Sequence, residues 1–273
     1  MKSMPRTGEQ NFGLLNLKPV RHFGLIGYPL THSFSKHYFN QKFETFGITD
    51  ASYELYPLQD ISSFPELLIN TTGLCGLNVT IPYKETILPF LQELDVIARE
   101  VGAVNTLLIK PGAEAGDLPL LKGFNTDVYG FQQSLKPFLE SHHERALILG
   151  TGGASKAVAY VLRKIGVDCY FVTRKKMTGQ EKAFTYAEIN EYVIRHFPLI
   201  INTTPVGMHP DTEACPPLPY DYITTDHFLY DLIYNPEETR FLAEGKKRGA
   251  LTLNGLSMLQ QQAEKAWEIW NTN

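Results

Sequence analysis

The sequence predicts an α/β chain folded as two domains, and three observations predict it. Residues 22–124 mix strands and helices without a repeating unit, whereas residues 146–253 alternate strand and helix. Between an apolar strand and a helix of the second stretch lies "GTGGASKA", residues 150–157. At 273 residues the chain has room for two ordinary domains, and 43% apolar with 20% charged residues is a globular balance. A net charge of −4 without a basic stripe argues against a nucleic-acid partner. No apolar run reaches the roughly 18 residues of a membrane span, so no membrane partner is expected. The start, "MKSMPRTGEQNFGLLNLKPV", lacks the continuous apolar core of a signal peptide. Cys75, Cys169 and Cys215 are far apart, and neither they nor the eight histidines show metal-ligand spacing. The expectation is a cytoplasmic protein with no metal. A homodimer is left open.

The elements follow in order. Residues 1–21 read as a loose extension. Strands are expected at 22–27, 51–56 and 76–81, with helices at about 34–46 and 62–70 between them, then short helices near 83–100. The first helix places Phe39, Phe43 and Phe46 on one side to cover a sheet. Strands near 103–109 and 119–124 flank "PGAEAGD" at 111–117, a Pro/Gly turn that predicts a hairpin. A helix near 126–139 leads to strands at 146–149, 168–172, 198–202, 228–233 and 250–253, a parallel doubly wound sheet. In the final helix, "GLSMLQQQAEKAWEIW", Leu256, Leu259, Ala263, Ala266, Trp267 and Trp270 share one face, so that helix must dock.

Gly150, Gly152 and Ser155 occupy the three positions of a G-x-G-x-x-G fingerprint, with Gly153 additional. Gly150 permits a tight turn, Gly152 lets the backbone approach a pyrophosphate, and the helix N-terminus offers unpaired N–H donors. An NAD site would carry an acid at the C-terminal end of the next strand. That end reads Thr173, Arg174, Lys175, Lys176, while Asp168 stands at the other end. Cations there suit a 2′-phosphate, so NADP is the expected cofactor.

Four pieces of the first half are polar where a fold alone would not require it. Ser33 and Ser35 stand at the start of a helix and suit a small carboxylate. "LNVTIPYKE" puts Asn78 and Thr80 on one strand face and is followed by Lys84. Asn105 interrupts an apolar strand in "GAVNT", and Asp127 opens a helix in "GFNTDVYGF".

In this order the pieces resemble the shikimate dehydrogenase family, whose shikimate/quinate dehydrogenases carry the same marks. They are "SFS", "NVTIPYK", "AVNT", "GFNTDVYG", "GTGGAS", "NTTPVGM", "DLIYNP" and "GLSMLQQQA", spread over about residues 22–270. The resemblance implies reversible reduction of 3-dehydroshikimate to shikimate with NADPH, in aromatic amino acid (chorismate) biosynthesis. It implies that Ser33 and Ser35 bind the substrate carboxylate, and that Asn78, Thr80, Asn105, Tyr234 and Gln262 hold ring hydroxyls or border the ring. Lys84 and Asp127 would stand at the reacting centre as catalytic residues. Gly150, Gly152, Gly153, Ala154 and Ser155 would hold the pyrophosphate; Arg174, with Thr173 and Lys175 beside it, would take the 2′-phosphate. Thr203, Met208 and Gly255 would lie near the ribose or nicotinamide. Periodicity removes Gln261 but leaves Gln260 and Gln262 open; the family's M-L-x-x-Q-A spacing selects Gln262.

If the last helix supplies that glutamine, residues 1–125 plus 256–273 form an α/β substrate-binding domain. Residues 126–255 then form a Rossmann-type NADP-binding domain, with a cleft between the two that closure would tighten. Lysine is a suitable proton donor to a ketone oxygen when no metal polarises it. Two rivals remain: an enzyme of this family using NAD or accepting quinate, and a non-catalytic nucleotide-sensing module on the same fold.

Overall fold

The computed structural model describes residues 20–30, 33–112, 118–176 and 182–272. Most of the expected N-terminal extension and the tip of the 111–117 turn lie outside the described residues. The first sheet contains β1 (Arg21–Gly27), β2 (Ala51–Pro57), β3 (Leu74–Val79), β4 (Glu93–Leu94), β5 (Thr106–Lys110) and β6 (Leu120–Phe124), in the order β2-β1-β3-β5-β6-β4. Parallel pairing of β1 with β2 and β3 gives way to antiparallel pairing of β5 with β3 and β6. The predicted hairpin is therefore the β5–β6 pair. β3 begins and ends two residues earlier than expected, because the chain turns after Val79, where the Tyr83 N–H donates to the Thr80 carbonyl.

Helices α1 (Phe34–Thr45), α2 (Phe64–Asn70) and α3 (Val96–Val101) connect these strands. Phe39 and Phe43 of α1 are buried as expected, but Phe46 is 70% exposed. It caps the helix rather than continuing it, so its side chain leaves the apolar face, and the Lys42 ammonium lies over its ring.

The second sheet is parallel throughout. It holds β7 (Arg145–Leu149), β8 (Asp168–Thr173), β9 (Ala183–Thr185), β10 (Leu199–Asn202), β11 (Phe228–Asp231) and β12 (Leu251–Leu253), in the order β12-β11-β10-β7-β8-β9. Between them come α5 (Gly153–Lys164), α6 (Glu191–His196) and α7 (Arg240–Lys246), and α4 (Thr126–Leu135) precedes β7. Short β9 was not anticipated. Both faces of this sheet are covered, Ile148 and Ile201 facing one apolar cluster and Leu147 and Ile200 the other. That is why its strands read as unbroken apolar runs. The strand order reverses between β7 and β10, and the C-terminal ends of those strands are where such sheets bind ligands.

The last helix, α8 (Leu256–Trp270), docks on the first sheet. Trp270 stacks on Phe23 at 4.8 Å, and its Nε1–H donates to the Leu107 carbonyl at 2.9 Å. Its indole lies so close to β3 that a Cβ on Gly76 would sit 2.2 Å from Nε1. Ala263, Ala266 and Trp270 share a core with Phe23, Phe39 and Tyr53, whereas Met258 belongs to the core of the second sheet with Val128 and Phe131. Because the helix serves two cores, its buried stripe is turned from the expected one: Met258 is inside and Leu256 is 37% exposed.

Candidate active site

Lys84 follows the turn after β3, and Asp127 lies in the first turn of α4, whose N-cap Asn125 accepts from the Val128 N–H. Their ends meet: Lys84 Nζ is 2.6 Å from Asp127 Oδ2, with side-chain exposures of only 17% and 7%. The other carboxylate oxygen, Oδ1, accepts from Asn105 Nδ2 at 2.9 Å. The orientation of that amide is forced. Its Oδ1 accepts the backbone N–H of Thr126 at 2.7 Å, and a backbone N–H can only donate. The amino group of Asn105 therefore faces Asp127, and both oxygens of Asp127 are committed as acceptors.

The network continues through buried groups. Thr126 Oγ1 stands 3.3 Å from Gln262 Oε1 and 3.2 Å from Thr106 Oγ1. Asn78 Nδ2 reaches Thr106 Oγ1 at 3.2 Å, while Asn78 Oδ1 accepts the Tyr53 hydroxyl at 2.7 Å. Asn78, Asn105, Thr106, Thr126 and Gln262 are all buried, so each unmet donor or acceptor would cost about 1–3 kcal/mol. Gln262 is inside, with its Oε1 in this network, while Gln260 is exposed.

Ser33 is the N-cap of α1 and accepts the Lys36 N–H at 3.4 Å. Ser35 is hydrogen-bonded to the hydroxyl of Tyr53, whose pKa burial pushes far up, so that phenol stays protonated. Tyr234 comes from the loop after β11, yet its ring meets Phe34 of α1 edge-on at 5.5 Å and its hydroxyl bonds the Phe34 backbone N–H. Burial raises that phenol's pKa as well. Thr80 is half-buried just beyond β3, its N–H bonded to the Ile26 carbonyl at 2.9 Å.

The glycine turn sits at the switch point. Gly150 has φ +104°, a left-handed geometry that favours glycine, and a Cβ there would lie 2.9 Å from Thr204. Gly152 is the N-cap of α5 without a side chain to cap with, and a Cβ on it would meet nothing within 4 Å. No side chain caps the start of this twelve-residue helix, so its first-turn N–H groups are left without a capping acceptor, a fit for a pyrophosphate. Ser155 is fully buried and donates to the Gly152 carbonyl at 2.6 Å, bracing the turn, and Ala154 is half-buried beside it. Beyond β8, Arg174 and Lys175 are exposed while Thr173 donates to the Lys175 carbonyl.

Two of the expected cofactor residues, Thr203 and Gly255, show structural duties. The Thr203 hydroxyl donates to the Leu149 carbonyl at 2.6 Å, tying the end of β10 to the glycine turn. Gly255 packs on backbone: a Cβ there would lie 2.0 Å from the Leu232 carbonyl oxygen. Met208 is 44% exposed on the loop after β10. That loop and the Tyr234 loop are joined by Asp231, which accepts from Asn202, the Ile233 N–H and Thr239 at 3.0, 3.0 and 2.6 Å. Burial raises the Asp231 pKa to about 6 despite these donors.

Sequence reasoning did not single out Tyr53, Thr106, Thr126 or Asp231. The threonines stand inside "AVNT" and "GFNTD", so the motifs carried them unnoticed. Tyr53 becomes visible only when β2 and β3 are known to flank β1. Among the described residues, no group of three or more His, Cys, Asp or Glu could hold a metal, and no helix is long and apolar enough to cross a membrane.

A doubly wound sheet with an open glycine turn, beside a mixed sheet at whose edge a buried Lys–Asp pair lies, defines a two-domain nicotinamide-dependent oxidoreductase. Residues 25–107 match the shikimate dehydrogenase substrate binding domain. The chain is 35% identical over 264 residues to the shikimate dehydrogenase (NADP(+)) of Methanosphaera stadtmanae, covering 90% of each. The shikimate dehydrogenase of Aquifex aeolicus superposes with a TM-score of 0.80 at 34% identity over 92% of both chains. That of Thermus thermophilus, solved with NADP(H) and shikimate, gives a TM-score of 0.77 at 32% identity, covering 92% of this chain and 94% of that one. The chain belongs to the shikimate dehydrogenase family.

Proposed function

We propose that this protein catalyses the reversible, NADPH-dependent reduction of 3-dehydroshikimate to shikimate, with Lys84 carrying the proton. Bound NADPH supplies the hydride to the ketone carbon. The ketone oxygen must gain a proton in step, and the polarity of the buried network supports one source. Asp127 accepts on both oxygens, from Lys84 and from an Asn105 that the Thr126 N–H holds in place. Asp127 thus orients the ammonium, leaving Lys84 as the group that gives and takes the proton.

The lobe formed by residues 1–125 and 256–273 would hold the substrate. Ser33 and Ser35 offer hydroxyls to its carboxylate; Asn78, Thr80, Asn105, Tyr234 and Gln262 surround its ring. Residues 126–255 would hold NADP, with Gly150, Gly152, Gly153, Ala154 and Ser155 framing the pyrophosphate. Arg174, with Thr173 and Lys175, would grip the 2′-phosphate, and Thr203, Met208 and Gly255 would back the ribose and nicotinamide. No disulfide joins the three cysteines, which suits a cytoplasmic site of action. The test is NADPH oxidation with 3-dehydroshikimate set beside quinate oxidation with NAD; a faster second reaction would overturn the assignment, and no turnover in either would favour the nucleotide-sensing rival.

A further inference from the structure

The first turn of α5 does more than face a phosphate. A Cβ placed on Gly153 would lie 3.0 Å from Lys84 Cβ, 3.4 Å from Cδ and 3.7 Å from Cγ. The aliphatic stem of the lysine therefore rests on the missing side chain of a residue in the dinucleotide turn. One helical turn on, Lys156 forms a 2.6 Å ion pair with Glu85, the neighbour of Lys84 in sequence. From the other side, the Lys84 carbonyl accepts the Val104 N–H at 2.7 Å. The segment 84–85 is thus held between the edge of the first sheet and the first turn of a helix from the second. The fingerprint needs glycine at 150 and 152, where the geometry is left-handed or the phosphate approaches. It does not need one at 153, whose φ is not positive and whose place in a helix would favour alanine.

We propose that Gly153 is a positioning residue for the reaction: its bare Cα sets the path of the Lys84 stem and so the place of the ammonium beside Asp127. At a contact of 3.0 Å, a methyl group forces the stem to move by some tenths of an ångström. The stem leads directly to the 2.6 Å contact between Nζ and Asp127 Oδ2, so the shift is delivered to the reacting end. The cofactor turn and the proton carrier are in this way one mechanical contact, made across the two sheets. The inference rests on Lys84 carrying the proton, a reading that Lys84→Ala tests separately with Gly153 intact.

The experiment is Gly153→Ala, with Gly153→Ser as a second variant of similar size. Misplacing a reacting group by a fraction of an ångström is expected to lower kcat about tenfold. The fall should persist at saturating NADPH, where any weakening of the pyrophosphate grip no longer limits the rate, and the melting temperature should hold, since alanine favours the helix. That combination, a sound fold with slow turnover at saturating cofactor, is not what a purely structural or purely phosphate-binding glycine produces. A kcat within about twofold of the parent in both variants overturns the proposal. So does a rise in KM for NADPH with kcat preserved, which would leave Gly153 only a pyrophosphate residue.

Discussion

The two halves of the site are built in opposite ways. On the first sheet, the groups around Lys84 and Asp127 are buried and bonded to one another, from the Tyr53 hydroxyl through Asn78 and Thr106 to Asn105, Thr126 and Gln262. On the second sheet the equivalent surface is backbone and open space: an uncapped helix start at Gly152 and exposed cations beyond β8. The contrast follows from what each half must do. Proton transfer rewards fixed geometry, which buried and fully paired polar groups supply. A dinucleotide phosphate is gripped by N–H donors and surface cations that need little preorganised side-chain chemistry.

Removing the proton carrier breaks the comparison most severely. Lys84→Ala is expected to cut kcat by roughly 10²–10⁴-fold while KM for shikimate changes little, measured by steady-state oxidation of shikimate with NADP. Survival of turnover within about threefold would move the proton path away from the first half altogether.

Asn105→Ala tests whether the buried network is as rigid as its bonding implies. It leaves Asp127 Oδ1 and the Thr126 N–H without their shared partner. The expected cost is about 1–3 kcal/mol of stability in urea unfolding, together with a fall in kcat, because Asp127 is no longer held. A variant as stable and as fast as the parent would show the network to be loose.

The open half should respond differently, in affinity rather than turnover. Arg174→Ala is expected to reduce a preference for NADP over NAD that in the parent is at least about tenfold, the worth of one charge-assisted hydrogen bond. The readout is kcat/KM with each cofactor, and the loss should fall mainly on KM for NADP. Equal use of both cofactors by the parent would remove the argument from the cations after β8.

This contrast also explains what could be read in advance. Strand–turn–helix with Gly150 and Gly152 is local chemistry, so the second sheet and its switch point were legible, as was the placing of Lys84, Asp127 and Asn105 in short polar motifs. What lay outside reach was set by contacts distant in sequence. Tyr53 matters because β1 separates β2 from β3 and lets a phenol span to Asn78. Leu256 and Met258 exchanged burial because α8 answers to two cores at once. Phe46 kept the helical period but stood one residue past the helix that gave the period meaning.

The smallest expected effect concerns acid, and it too divides the molecule. Burial lowers the pKa of His143 and of His227, and His142 adds to the effect on His143 while Arg195 adds to that on His227. Both rings are neutral acceptors: His143 Nδ1 takes the Glu140 N–H and His227 Nδ1 the Thr224 N–H, each at 3.0 Å. Since their folded pKa values lie below the unfolded value of about 6.5, their contribution is complete above that pH and is lost as the pH falls through the folded values. Asp231 has the reverse sign. Its folded pKa of about 6 exceeds the ordinary 3.8, so its contribution is complete below the ordinary value and disappears as the pH rises through 6. Between roughly pH 4 and 6.5 the two effects oppose one another within the second sheet, and the melting temperature should change only gently there. His227→Gln keeps an acceptor for the Thr224 N–H but removes one titration, and should flatten the acid limb of melting temperature against pH. A parent-like acid limb in that variant would place the acid sensitivity outside His227.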